Sequence, residues 1–132
     1  MPQIRLNIST EMKGVIFNSA KTKAAAKRLV IDLNDKLASE GVRRIKAHLG
    51  QVLRNPTGYY ESQIDVQRRA VYRGVWDQNC VYGGWLEGVD PRNRTTRFKG
   101  YYTFMIISRT LQQDKDKLTQ PIVDKFIAEM NK

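Results

Sequence analysis

Residues 82–104 read YGGWLEGVDPRNRTTRFKGYYTF, and the reading of this stretch organises the rest of the chain. It holds six of the twelve aromatic residues: Tyr82, Trp85, Phe98, Tyr101, Tyr102 and Phe104. Gly83, Gly84, Gly88 and Gly100 stand among them. Large rings beside glycines predict backbone brought close to a neighbour while the rings are buried. Glu87 lies between Leu86 and Gly88, and a polar run with Asp90, Arg92, Arg94, Arg97 and Lys99 follows. The pattern reads as two packed segments joined by a long basic loop, residues 89–99, with Asp90 and Pro91 as a turn signal.

Upstream, residues 60–69 and 71–77 carry alternating and β-branched side chains and read as extended segments. Gln78 and Asn79 then turn the chain, so that residues 81–87 are expected to pair back as an antiparallel hairpin. At the start, Ile4, Leu6 and Ile8 alternate with Gln3, Arg5 and Asn7, the pattern of a half-buried strand. Lys13 and Gly14 suggest a turn, residues 15–17 continue the sheet, and Ser19 suits a helix N-cap. From Ala20 the composition is helical. Leu29, Leu33, Leu37, Gly41, Ile45 and Leu49 recur every fourth residue as one apolar stripe. Gly41 costs a helix interior about 1 kcal/mol, which points to a break or a close helix approach there. Asn55, Pro56, Thr57 and Gly58 end this helix.

Downstream, Phe104, Ile107, Leu111, Leu118, Ile122, Phe126 and Met130 share one helical face, and Pro121 is expected to kink or divide the helix. Two amphipathic helices need an apolar surface to cover. The expected fold is therefore α+β, with an antiparallel sheet packed against a long N-terminal helix and a C-terminal helix. All 132 residues are expected to form one domain around one core.

No apolar run approaches the length of a membrane span, and MPQIRLNIST lacks the basic flank and apolar core of a signal peptide. With Cys80 the only cysteine, folding in a reducing cytoplasm is expected. The net charge is +10, divided evenly between the two halves of the chain. Such a balance implies an anionic partner, nucleic acid or an acidic protein surface.

Catalytic and metal-binding patterns are missing. His48 is the only histidine and lies far in sequence from Cys80, so no nucleophilic triad or Cys-His pair can be assembled. No cluster has metal-ligand spacing, and no glycine loop followed by Lys-Ser or Lys-Thr is present. Cys80 reads as a packed side chain, Gly83 and Gly84 as a close-packing pair, and His48 as a surface or half-buried helix residue. The sequons at Asn7 and Asn93 read as chance matches. Arg68, Arg69 and Arg73 suit a phosphate contact or a solvated strand face equally well. Residues 24–28 with Lys21 and Lys23 read as a solvated helix end rather than as a basic DNA-binding helix. Glu87, without a second catalytic carboxylate, reads as one half of a buried ion pair, Arg97 its first partner and Arg94 its second.

Three segments carry a resemblance: Pro56-Thr57-Gly58-Tyr59-Tyr60, Tyr82-Gly83-Gly84-Trp85-Leu86-Glu87-Gly88 and Arg97-Phe98-Lys99-Gly100-Tyr101. In this order and spacing they resemble the neck proteins of long-tailed double-stranded DNA phages, the tail-completion or head–tail joining proteins. The wording is most similar to versions from phages of actinobacteria. The likeness covers about residues 55–112. The family often has arginine after the second phenylalanine, whereas Met105 follows Phe104 here and Arg109 stands one helical turn on.

The resemblance implies a structural subunit of the virion neck with no enzymatic role and no cofactor. It implies a ring, six copies in all, that meets the head connector and a tail-tube or tail-terminator protein and passes the genomic DNA. Thr57, Gly58, Tyr59, Trp85, Glu87, Arg97, Phe98, Gly100 and Tyr101 would be its structural motif. Within residues 89–99, Arg92, Asn93, Arg94, Thr95 and Thr96 are expected to form an assembly loop, long for so small a domain and ordered mainly by a neighbouring subunit or ring. Phe98 and Tyr101 anchor its far end. The alternative is a standalone, sequence-independent nucleic-acid-binding protein, suggested by the charge and the interleaved aromatics. A small hydrolase using Glu87 and His48 is a third and weaker reading.

Overall fold

The computed structural model describes residues 4–8, 20–53 and 58–130. The expectations at Gln3, Lys13, Gly14, residues 15–17, Ser19, Asn55, Pro56 and Thr57 lie outside these residues. The elements run β1 (Arg5–Ile8), α1 (Ala20–Val52), α2 (Tyr59–Gln63), β2 (Asp65–Arg69), β3 (Tyr72–Trp76), α3 (Gly83–Glu87), α4 (Arg92–Thr95) and α5 (Thr103–Met130). The fold is α+β: an antiparallel sheet in the order β1-β3-β2 packed against the two long helices α1 and α5.

The central strand sets the core. Val75 of β3 is fully buried and stands opposite Leu6 of β1 on one side and Val66 of β2 on the other. Alternation places Ile4, Leu6 and Ile8 toward the helices, where they join Leu37, Ala38, Ile45, Leu49, Ile107 and Leu111. The hairpin β2–β3 is pinned to α1 by polar groups. The Asn34 amide donates to the Val71 carbonyl at 2.8 Å, and the Arg73 guanidinium pairs with Asp35 while donating to the carbonyls of Ala70 and Tyr72. Arg73 is buried, so neither a phosphate contact nor a solvated face describes it, whereas Arg68 and Arg69 on β2 are exposed.

The stripe of α1 is buried at all six positions from Leu29 to Leu49. A step of four residues advances a helix by about 40° beyond a full turn, so the stripe winds around α1. Leu29 thereby faces Ile122 and Phe126 of α5, while the stripe from Leu37 onward faces the shared core. Gly41 does not break α1. It sits where both long helices meet the sheet: an added Cβ would come within 3.2 Å of both Leu111 and Val75. Pro121 does not divide α5, which continues to Met130.

Two expected extended segments fold differently. Residues 59–63 form α2, which buries Tyr60 so that its hydroxyl reaches Asp77 at 2.9 Å. Residues 83–87 form the short helix α3 rather than a hairpin strand. Both sides of β3 are already taken, by β1 and β2, so a further strand has no edge of β3 to pair with. Gln78 and Asn79 do turn the chain, both in the left-handed region (φ 55° and 57°).

Candidate assembly surface

Residues 82–104 cross over themselves at two glycines. Gly88 and Gly100 both have left-handed φ (101° and 107°), and a Cβ on Gly100 would lie 2.3 Å from the Gly88 Cα. No other residue satisfies both the backbone angle and the approach. Next to the crossing, the Tyr101 N–H donates to the Leu86 carbonyl at 2.7 Å. The closeness expected from glycines among large rings is thus a contact between the start and the end of the stretch.

The crossing delivers Glu87 to the first turn of α5. Its two carboxylate oxygens accept from the backbone N–H groups of Phe104 (2.8 Å) and Met105 (3.1 Å). Those donors belong to the helix's first turn and have no partner inside it. Glu87 is buried as expected, yet its partners are backbone amides and not Arg97 or Arg94, which remain exposed. Burial pushes its pKa up, the two amide bonds oppose the shift, and nearby Asp77 adds to it. His48 reaches the same helix end, with Nδ1 2.8 Å from the Thr103 hydroxyl, and burial lowers its pKa. Glu87 and His48 are therefore both engaged in holding the start of α5.

Asp77, which has no exposed surface, was not singled out in the sequence. Tyr60 donates to its Oδ2, burial raises its pKa, and an added Cβ on Gly83 would sit 1.8 Å from that same oxygen. Gly83 is a close-packing residue for this reason. Cys80 packs against the core beside these groups. The only legible signal for Asp77 was a carboxylate directly before the turn at Gln78 and Asn79.

Residues 89–99 are not an open loop. They contain α4, and Asn93 is turned inward, 3% exposed. Its amide donates to the carbonyls of Trp85 and Phe98, and its Oδ1 accepts from the Asp90 N–H. The Thr96 hydroxyl donates to the Arg92 carbonyl, the Thr95 hydroxyl does so more weakly, and the Lys99 ammonium closes onto the carbonyls of Asn93 and Arg94. Asn93 is thus an internal brace and not a projecting donor, and the loop carries bonds of its own before any neighbour meets it.

On this frame Trp85, Phe98 and Tyr101 form a row of rings, with centroids 5.0 Å and 4.9 Å apart. All three are half-buried, so the far end of the loop is anchored in a side cluster and not in the main core. Arg92 lies over the Trp85 ring at 5.3 Å and pairs with Asp90, whose carboxyl it holds below the usual range. Arg94 and Arg97 are exposed and make no ion pair among the described residues. Of the remaining motif residues, Gly58 precedes α2 at φ 82°, and Tyr59 is exposed with its ring 6.4 Å from that of Tyr82. Among the described residues no group of three or more His, Cys, Asp or Glu side chains could hold a metal ion, and no helix is long and apolar enough to cross a membrane. No protein-family model, curated protein or solved structure matches the chain.

Proposed function

We propose that the chain is a structural subunit of the neck of a long-tailed double-stranded DNA phage, one copy of a ring that joins the head connector to the tail and surrounds the DNA channel. Two things support this reading. The three motif segments resemble that family in order and spacing. The observation that carries it further is the braced loop: Asn93 holds residues 89–99 against Trp85 and Phe98, while Arg94 and Arg97 stand outward without ion-pair partners among the described residues. A loop ordered in advance loses little entropy when a neighbour binds it. Arginine forks suit bidentate pairing across a protein interface.

The test is complementation of a phage lacking this gene with Arg94→Glu/Arg97→Glu. The variant is expected to fold, to leave heads and tails unjoined, and to be missing from purified particles. Full joining by the double variant would overturn the role of the loop. Absence of the unaltered protein from joined particles would overturn the neck reading, and DNA binding lost in the variant with joining intact would favour a standalone nucleic-acid binder.

A further inference from the structure

Next to the braced loop the surface is hollowed. Val52, Trp85, Leu86, Arg97, Phe98 and Tyr101 line an open depression. It brings three aromatic residues, two aliphatic ones and Arg97 to one place. Arg92 is committed to Asp90 and Trp85, and the Lys99 ammonium is turned onto the Asn93 and Arg94 carbonyls, so the loop's cations left without a partner among the described residues are Arg97 and, three positions before it, Arg94.

We propose that this depression docks an acidic polypeptide segment of an adjoining protein. A large apolar side chain enters among Trp85, Phe98 and Tyr101, and carboxylates beside it meet Arg97 and Arg94. The identity of the adjoining protein as a neck neighbour rests on the function proposed above; the chemistry of the segment rests on the depression.

Three observations select this occupant. Tryptophan, tyrosine and arginine around one depression are the composition of an interface hot spot. The rings are turned against one another at 48° and 68°, and a guanidinium covers the Trp85 face. Successive bases stack on parallel platforms, and these tilted rings do not present one. Finally, a second copy is a poor source for the segment, because the chain carries +10 and has no two acidic residues adjacent in sequence.

The full chain is titrated into a fluorescent synthetic peptide of about ten residues, mostly Asp and Glu, with one central Phe. Three controls are used: the same charge without Phe, the same Phe among Asn and Gln, and single-stranded oligothymidylate of matching charge. The acidic Phe peptide is expected to bind roughly tenfold tighter than each control. Arg94→Ser/Arg97→Ser, which changes exposed side chains, should weaken it at least about fivefold, as should Phe98→Ala at unchanged helicity. Arg68→Ser/Arg69→Ser on β2 should leave it unchanged.

Equal binding of the Phe-free peptide would reduce the site to diffuse electrostatics and overturn the proposal, as would no binding at all. Tighter oligothymidylate binding, lost in the same variants, would make the depression a nucleic-acid groove. Peptide binding and head–tail joining fail separately: joining without peptide binding refutes only the docking site, and peptide binding by a protein absent from joined particles refutes only the neck reading.

Discussion

Glu87 caps a helix that begins sixteen residues later in the chain, its carboxylate accepting the Phe104 N–H at 2.8 Å. The cap is possible because Gly88 and Gly100 touch, which folds the chain back on itself and sets α3 against the first turn of α5. Glu87→Ala leaves the buried Phe104 amide and the part-buried Met105 amide without a partner and is expected to cost about 2–3 kcal/mol. Glu87→Gln keeps one acceptor and should cost less than half of that. Urea unfolding of both variants checks this, and an Ala variant as stable as the parent would remove the cap from the account.

The pH dependence follows from opposite shifts. Asp77 and Glu87 have folded pKa values raised above their ordinary 3.8 and 4.5, chiefly by burial. The folded state therefore holds these protons more tightly. Their contribution to stability is full below the ordinary values and is lost as pH rises through the folded ones. Glu40 is the reverse. Its hydrogen bond from Arg43, with Arg44 adding to it, holds its pKa at about 2, so its contribution is full above 4.5 and is lost as pH falls toward 2. Denaturant midpoints are expected to rise on mild acidification and then fall. Asp77→Asn should flatten the rise, and Glu40→Gln should flatten the fall.

Two glycines separate space from propensity. Gly83→Ala drives a Cβ into the Asp77 carboxylate and should destabilise by about 2 kcal/mol or more. Gly50 lies in α1 with nothing within 4 Å of an added Cβ, so Gly50→Ala should stabilise by up to about 1 kcal/mol. Thermal unfolding of the pair decides it. Equal effects would mean that the approach at Gly83 is not tight.

Asn93→Ala removes two side-chain bonds to the carbonyls of Trp85 and Phe98 and is expected to cost about 1–3 kcal/mol. Arg94→Ser and Arg97→Ser should each stay within about 0.5 kcal/mol of the parent, because neither side chain is buried or paired. A glycine turn in place of residues 92–96 would delete the brace together with Arg92 and Arg94 and is the poorer probe of assembly. Hydrogen exchange at residues 85–99 should speed up in the Asn93 variant alone.

The net charge of +10 predicts weak DNA binding by the isolated protein, independent of sequence and falling steeply with added salt. Fluorescence anisotropy with two unrelated duplexes across a salt series tests it. A strong preference for one duplex would point to base readout.

Periodicity alone determined the two long helices and the first strand. The stripe from Leu29 to Leu49 is buried throughout, Ile4 and Ile8 are buried with Leu6 half-buried between them, and the face that begins at buried Phe104, Ile107 and Leu111 passes through half-buried Leu118, Ile122 and Phe126 to exposed Met130; each pattern is a property of neighbours along the chain. The glycines near the rings likewise announced a close approach. What covers what was decided only in three dimensions. Residues 81–87 and β1 were rivals for one edge of β3, and the distant strand holds it; local alternation carries no record of that competition. Glu87 was legible as a buried carboxylate but not as a helix cap, since its donors come near only through the contact of Gly88 with Gly100. Asn93 reads in sequence like its neighbours Arg92 and Arg94. Its inward turn depends on two free carbonyls, at Trp85 and Phe98, which the crossing chain sets within reach of one amide.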